Sequence, residues 1–142
     1  MFRILLPVDG SACSDRAVRH LVEHSGGFSE TPEIHLLHVH SPIPVGRVQQ
    51  HIDHRTLEAH YREEGEAQLQ SAERVLEAGG LAWQCHIHVG SVPEVIVAVA
   101  RELACDFVFM GTHGRGALPS ALLGSVVGRV LHLIDRPVML AK

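Results

Sequence analysis

The stretch MGTHGRGALPSALLGSVVG, residues 110–128, runs from the end of an apolar segment, through a glycine-rich loop, into an amphipathic segment. Five of its nineteen residues are glycine, so few side chains would keep a ligand away from the backbone there. In open α/β sheets, ligands bind beyond the carboxyl ends of the strands, where the N-termini of the following helices also point. The stretch therefore predicts a strand, a ligand-binding loop and a helix, with the helix over 120–134.

The remainder of the chain alternates in the same way between apolar segments and helical patterns. Strands are predicted over 2–8, 33–39, 82–89, 106–111 and 136–142. Helices are predicted over 11–25, 55–80, 91–104 and 120–134, with a loop over 41–54. This alternation predicts an α/β fold with an open five-stranded parallel sheet, doubly wound and covered by helices on both faces. We expect a single domain spanning 1–142.

The composition argues against several classes of protein. A net charge of −4 disfavours a nucleic-acid-binding protein that relies on a broad basic surface. The apolar segment at the N-terminus breaks at Pro7 and is too short for a signal peptide, and no segment approaches the roughly 18 apolar residues of a membrane helix. Cys13, Cys85 and Cys105 have no close partners in sequence. We therefore expect a cytoplasmic protein with reduced thiols, without membrane insertion and without a nucleic-acid partner.

The spacing of the glycines distinguishes between kinds of phosphate loop. A Walker loop requires a lysine after its second glycine, and the only lysine is Lys142. A dinucleotide-binding GxGxxG would follow the first strand, where the sequence is VDGSAC. The spacing present is G-x2-G-x9-G-[ST], formed by Gly111, Gly114 and Gly124-Ser125. Gly128 lies outside this spacing, which favours close helix packing as its reason.

This spacing resembles that of the universal stress protein family, on its ATP-binding branch. The resemblance extends along the chain through ILLPVDGS, LHV, GSVPEVIVAVA, DFVFMGTHGRG and RPVMLAK. It implies a Rossmann-like sheet of the adenine nucleotide alpha hydrolase type, with strand order 3-2-1-4-5. It also implies ATP and Mg²⁺ as ligands, and a homodimer through the edge strand at 137–141.

The resemblance further implies a role for each residue around the loop. Pro7 and Val8 would border the adenine, and Val39 would contact it through its backbone. Asp9 would lie near the ribose and phosphates and would hold the Mg²⁺. The phosphates would be surrounded by Gly111, Thr112, His113, Gly114, Arg115 and Gly116, and then by Gly124, Ser125 and Val126.

Simpler interpretations of the same residues stay open. Asp9-Gly10-Ser11 is also typical of a turn followed by a helix cap. Asp9, His113 and Arg115 are the only candidates for catalysis near the phosphates, so we expect nucleotide binding with slow or no hydrolysis and no assigned catalytic residue. The alternatives are a slow ATPase and a chaperone-like stress protein that does not depend on nucleotide.

Twelve histidines raise the question of a metal site. His38 and His40 share one face of the predicted second strand, and His86 and His88 share one face of the third. If those strands are neighbours, the four side chains could cluster. We favour isolated histidines at the surface or at a sheet edge, because the spacing lacks the cysteine partners of a structural zinc site.

Overall fold

The computed structural model describes residues 1–42, 53–114 and 122–142. Its strands are β1 (Arg3–Pro7), β2 (Glu33–His40), β3 (Trp83–Val89), β4 (Phe107–Gly111) and β5 (Val138–Ala141). Its α-helices are α1 (Ala12–His24), α2 (His54–Ala78), α3 (Val92–Glu102) and α4 (Ser125–Leu133), with a short 3₁₀ helix at Ser25–Gly27. Most of the predicted loop over 41–54 lies outside the described residues.

The five strands form one parallel sheet in the order β3-β2-β1-β4-β5, which confirms the predicted fold class. Strands β1 and β4 are neighbours, and the chain leaves them towards opposite edges of the sheet. Such a switch in direction opens a crevice between the loops that follow the two strands. The glycine-rich loop after β4 therefore meets the turn after β1, and the predicted site follows from this topology.

Alternate residues of the central strands pack into two separate core layers. Ile4 and Leu6 of β1 face the layer formed with α1 and α2. Leu5 and Leu37 face the layer formed with α3 and α4. All four side chains are fully buried, so each face of the sheet is held against its helices by apolar contact. No helix in the described part of the chain is both long enough and apolar enough to cross a membrane.

Two predicted helix boundaries are confirmed by their capping residues. The Ser11 hydroxyl accepts a hydrogen bond from the Ser14 N–H at 3.2 Å and caps α1. Gly79 caps the C-terminus of α2, and Gly80 after it has a φ of +69°, a conformation that suits glycine. The local sequence thus determines where these helices begin and end.

The prediction that the last helix begins at 120 is wrong. Helix α4 begins at Ser125, and Leu122 before it is 93% exposed. Gly124 is extended, with φ −67° and ψ 160°, and its N–H donates to the Thr112 carbonyl at 2.7 Å. This bond ties the residue to the loop after β4 and prevents the helix from extending backwards. The apolar pattern continues the helical period backwards, but Leu122 and Leu123 are exposed and do not belong to the core.

The four histidines that the sequence pattern singled out on β2 and β3 do not form the cluster that neighbouring strands would allow. His86 pairs with Leu37 across the sheet and His88 pairs with Val39, so both lie on the face covered by α3 and α4. His38 and His40 project from the opposite face, because side chains alternate along a strand. Neighbouring strands alone do not bring histidines together, since the register also has to place them on one face.

The register instead brings His86 together with His35, a residue that the sequence did not single out. His35 is 3% exposed, and its Nδ1 lies 3.0 Å from His86 Nε2. Its Nε2 lies 2.9 Å from the Glu33 Oε1, at an angle that does not make a hydrogen bond. Burial, reinforced by the neighbouring His35 and His88, lowers the pKa of His86 below its ordinary value of 6.5.

Candidate functional site

A cavity of about 510 Å³ lies at the carboxyl ends of β1, β2 and β4, at the switch point of the sheet. This volume falls in the range of small-molecule sites. A larger groove of about 820 Å³ lies between α2 and the edge strand β3, lined chiefly by charged and polar side chains of α2. We take the smaller cavity as the candidate site, because strand ends, a glycine-rich loop and a helix N-terminus converge on it.

Eight of the predicted site residues line this cavity: Pro7, Val8, Asp9, Val39, Gly111, His113, Gly114 and Val126. Thr112, Gly124 and Ser125 lie beside it and do not line it. Arg115 and Gly116 lie outside the described residues. The fold therefore gathers residues that are more than 100 positions apart in sequence, as the spacing of the motif predicts.

The turn after β1 holds Asp9 at the cavity. Its Oδ1 accepts a hydrogen bond from the Ser11 N–H at 2.9 Å, and Gly10 between them has a φ of +76°. The Asp9 N–H donates to the Ser14 hydroxyl at 3.3 Å. The turn-and-cap interpretation is thus correct for this segment. It does not exclude a ligand, because the same turn directs the carboxylate into the cavity.

The glycines of this loop differ in the neighbouring atoms that a side chain would meet. A β-carbon on Gly114 would lie 2.7 Å from the Asp9 Oδ2, and one on Gly124 would lie 3.3 Å from the His113 Cα. A β-carbon on Gly111 would lie 2.9 Å from the Cys13 sulfur, so Gly111 is required for packing against α1. Among the glycines of this loop that the structure describes, only Gly114 keeps space open directly beside a carboxylate of the cavity.

Helix α4 directs its N-terminus at the loop. Gly124 is its N-cap and makes no side-chain capping bond, so the first N–H groups of the helix have no intrahelical acceptor. The aligned peptide dipoles place a partial positive charge at this end. Val126 and Val127 of the first turn reach the cavity wall. This end of the cavity is therefore suited to an anion.

One wall of the cavity is apolar. It is lined by side chains of β2, β4, α3 and α4: Leu37, Val39, Val92, Ile96, Met110, Val126 and Val127. Most of these side chains belong to the core layer on the α3 and α4 face. A flat apolar group bound here would extend the core of the protein, while its polar substituents reached the loop.

Helix α2 contributes a polar wall that the sequence interpretation missed. Glu64 and Gln68, one helical turn apart, line the cavity together with His38 and His40. The His40 Nε2 donates to the Tyr61 carbonyl at 2.9 Å, which directs its Nδ1 towards Glu64 at 3.8 Å. The His38 Nδ1 donates to the Val8 carbonyl at 2.9 Å. The helical spacing of Glu64 and Gln68 is the sequence signal, but only the packing of α2 shows that they face the site.

The charges that line the cavity are acidic. Asp9 and Glu64 are carboxylates, and among the described residues no lysine or arginine lines the cavity. A polyanion bound there would meet the dipole of α4 and the histidines but also two carboxylates. A carboxylate beside an anionic ligand is a donor set that fits Mg²⁺, and Asp9 would supply that carboxylate.

Comparisons with known proteins agree with this architecture. The profile of the universal stress protein family matches residues 1–142. Universal stress protein G of Escherichia coli O157:H7 is 30% identical over 147 residues, covering 98% of this chain and 97% of that protein. The solved structure of MJ0577 from Methanocaldococcus jannaschii superposes with a TM-score of 0.84 at 29% identity, covering 99% of this chain and 95% of that one.

A universal stress protein from Archaeoglobus fulgidus, solved in complex with dAMP, has the same fold with a TM-score of 0.66 at 21% identity. It covers 100% of this chain and 98% of its own. The sheet order, the position of the glycine-rich loop and the full-length profile match lead to one conclusion. The chain belongs to the universal stress protein family.

Proposed function

We propose that this protein binds ATP with Mg²⁺ in the cavity at the switch point, and that occupancy of the cavity regulates what the protein binds in turn. The observation that carries the proposal is the convergence of three features on one cavity: an apolar wall, a backbone kept bare at Gly114, and the N-terminus of α4. An adenine nucleotide has a flat, largely apolar base and an anionic tail, so it matches both ends of the cavity.

The proposal assigns the base to the apolar wall. Pro7, Val8 and Val39 would border the adenine, beside the core side chains that continue the wall. The phosphates would lie along the loop and the start of α4, against Gly111, Thr112, His113, Gly114, Arg115, Gly116, Gly124, Ser125 and Val126. Thr112 is placed to support the loop, because its hydroxyl lies 3.0 Å from the His113 Nδ1 and its carbonyl holds Gly124.

Asp9 would hold the Mg²⁺. Oxygen ligands from one carboxylate and from substrate phosphates are the usual environment of this ion in nucleotide sites. The acidic lining of the described cavity supports this assignment, since ATP without a cation would place its charge beside Asp9. When bound, the cation would neutralise part of the triphosphate charge.

Slow ATP hydrolysis is the second candidate function. His113 and Asp9 are the side chains near the loop that could orient water or accept its proton. Both are already engaged, His113 with the Thr112 hydroxyl and Asp9 with the Ser11 N–H. We therefore propose binding with at most weak turnover. A single-turnover assay with radiolabelled ATP distinguishes the two candidates.

The experiment that tests nucleotide binding is the release of copurified ligand. The purified protein is denatured with acid and the supernatant is separated by anion-exchange chromatography. An adenine nucleotide at near-stoichiometric amount supports the proposal. Absence of nucleotide, together with no heat of binding when ATP and Mg²⁺ are titrated by calorimetry, would favour the nucleotide-independent, chaperone-like alternative.

We also propose that the protein is a cytoplasmic, single-domain homodimer joined through 137–141. Strand β5 is an edge of the described sheet, and Met139 on it is 44% exposed. An edge strand with apolar side chains favours pairing with a second strand, and a two-fold axis closes such a pair. Cys13, Cys85 and Cys105 are all unpaired, which supports a reducing compartment.

A further inference from the structure

Helix α1 carries a group of metal-ligating side chains far along the helix from the candidate nucleotide site. His20, Glu23 and His24 project from its last two turns. One ligand atom from each lies within 4.8 Å of the other two, and in the described part of the chain no other set of three does so. We propose that this group, here called the α1 triad, binds a divalent transition metal ion such as Zn²⁺.

The helix itself makes the arrangement. Residues three and four apart lie on one face of an α-helix, so His20 is next to both Glu23 and His24. The His20 Nδ1 lies 3.8 Å from the Glu23 Oε2, and the two imidazole rings have their centroids 6.1 Å apart. Two zinc ligands at about 2.1 Å and tetrahedral angles lie about 3.4 Å apart. The three exposed side chains reach that spacing by small rotations.

His24 makes the second-nitrogen hydrogen bond that metal-bound histidines usually make. The His24 Nδ1 donates to the His20 carbonyl at 2.8 Å, and a carbonyl can only accept. The ring proton is therefore on Nδ1, and the lone pair of Nε2 points away from the helix backbone. A histidine that ligates a metal through one nitrogen usually donates its other N–H to a carbonyl or carboxylate, which fixes its tautomer and ring orientation.

The position on the helix favours a cation. His24 is the last residue of α1, where the aligned peptide dipoles place a partial negative charge. Two imidazoles and one carboxylate suit Zn²⁺ better than Mg²⁺, which prefers oxygen ligands. The side chains of His20 and Glu23 are 46% and 64% exposed, so the ion would complete its coordination with water.

The test is a zinc titration of nucleotide-free protein, followed by calorimetry or by competition with a chromophoric chelator. His24→Gln should weaken the tightest zinc site at least about tenfold, since it removes one of three protein ligands. His54→Gln is the matched control. His54 lies 3.2 Å from Glu58 at the same i, i+4 spacing on α2, and within the described ranges this exposed pair belongs to no group of three ligands. The His54→Gln variant should leave the zinc affinity unchanged.

A second readout checks that the ion bridges the helical turn. Zinc should raise the melting temperature of the wild-type protein and should raise that of His24→Gln much less, because bridging stabilises the end of α1. Each of three results would overturn the proposal. The first is equal zinc affinity for the wild type and His24→Gln, and the second is an equal loss of zinc affinity in His54→Gln. The third is an equal zinc-induced shift of the melting temperature in all three proteins. These results are independent of nucleotide binding, which uses the other end of α1.

Discussion

Gly114 and Asp9 lie in direct contact across the switch point, so that a β-carbon on the glycine would come 2.7 Å from the carboxylate Oδ2. The loop after β4 thus approaches the Asp9 carboxylate at a position where residue 114 has no side chain. Any larger residue must displace either the loop or the carboxylate. The contact connects the two halves of the proposed nucleotide site, one for the phosphates and one for the cation.

We expect Gly114→Val to weaken ATP binding by at least about tenfold, equivalent to about 1.4 kcal/mol. The valine side chain would occupy the space beside Asp9 that we assign to the phosphates. The core layers do not include residue 114, so the fold should persist. Calorimetric titration with ATP and Mg²⁺ measures the effect, and unchanged affinity would move the phosphates elsewhere.

Gly128→Ala is the matched control for a glycine in the same motif region. The expected close packing at Gly128 is wrong: among the described residues, nothing lies within 4 Å of a β-carbon placed there, and the residue is exposed. Alanine in an exposed helix interior is about 0.8–1 kcal/mol more favourable than glycine. Thermal melting should show a more stable protein, with the ATP affinity of the wild type.

Asp9→Asn should remove most of the Mg²⁺ dependence of ATP binding. Asparagine retains an oxygen that accepts from the Ser11 N–H, so the turn after β1 should keep its shape. It lacks the negative charge that holds a divalent cation. Titrations with ATP in the presence of Mg²⁺ and in the presence of a chelator measure the dependence. The same Mg²⁺ effect in both proteins would place the metal on other groups.

Leu140→Pro should weaken the proposed dimer. Val108 donates its N–H to the Pro137 carbonyl and Thr112 donates to the Ala141 carbonyl. Residues 137, 139 and 141 therefore bond to β4, and the N–H of Leu140 points towards the open edge. Proline at 140 removes that donor and leaves the bonds to β4 in place.

Leu140→Ala is the control for the dimer, because it shortens the same side chain and keeps the N–H. Sedimentation velocity at several concentrations measures both variants. The proline variant should dissociate at concentrations where the alanine variant and the wild type remain dimeric. A wild-type protein that sediments as a monomer at micromolar concentration contradicts the interface altogether.

Stability should fall as the pH drops through the range where free histidine titrates. The pKa of His86 is lowered in the folded protein, chiefly by burial. On acidification the unfolded chain takes up a proton near its ordinary value of 6.5 while the folded protein resists, so the free energy of unfolding decreases. This contribution is present at neutral pH and is lost as the pH falls.

His86→Gln should flatten this pH dependence, because glutamine does not titrate and can still hydrogen-bond to His35. Urea unfolding between about pH 7.5 and about pH 5.5 measures the slope. The exposed His132 on α4 provides the control variant, His132→Gln, which should keep the wild-type slope. An identical slope for the wild type and His86→Gln would show that other groups carry the effect.

The local sequence determined the strands and helices of this fold and the glycine content of the loop after β4. Apolar segments of strand length, Ser11 as a cap and Gly79 as a stop are local signals, and they predicted five strands and four helices in the correct order. The spacing of Gly111, Gly114 and Gly124 predicted glycines that the structure places in or beside one cavity. In an alternating chain each strand is followed by a loop and then by the N-terminus of a helix, so this order of features is encoded locally.

Tertiary structure decided which residues meet across the sheet. The register of β2 with β3 separated His38 from His86 and paired His86 with His35, because a shift of one residue exchanges the two faces. The packing of α2 brought Glu64 to the cavity, and the bond from Gly124 to Thr112 made α4 begin only at Ser125. These contacts join segments far apart in the chain, so no local pattern of residues encodes them.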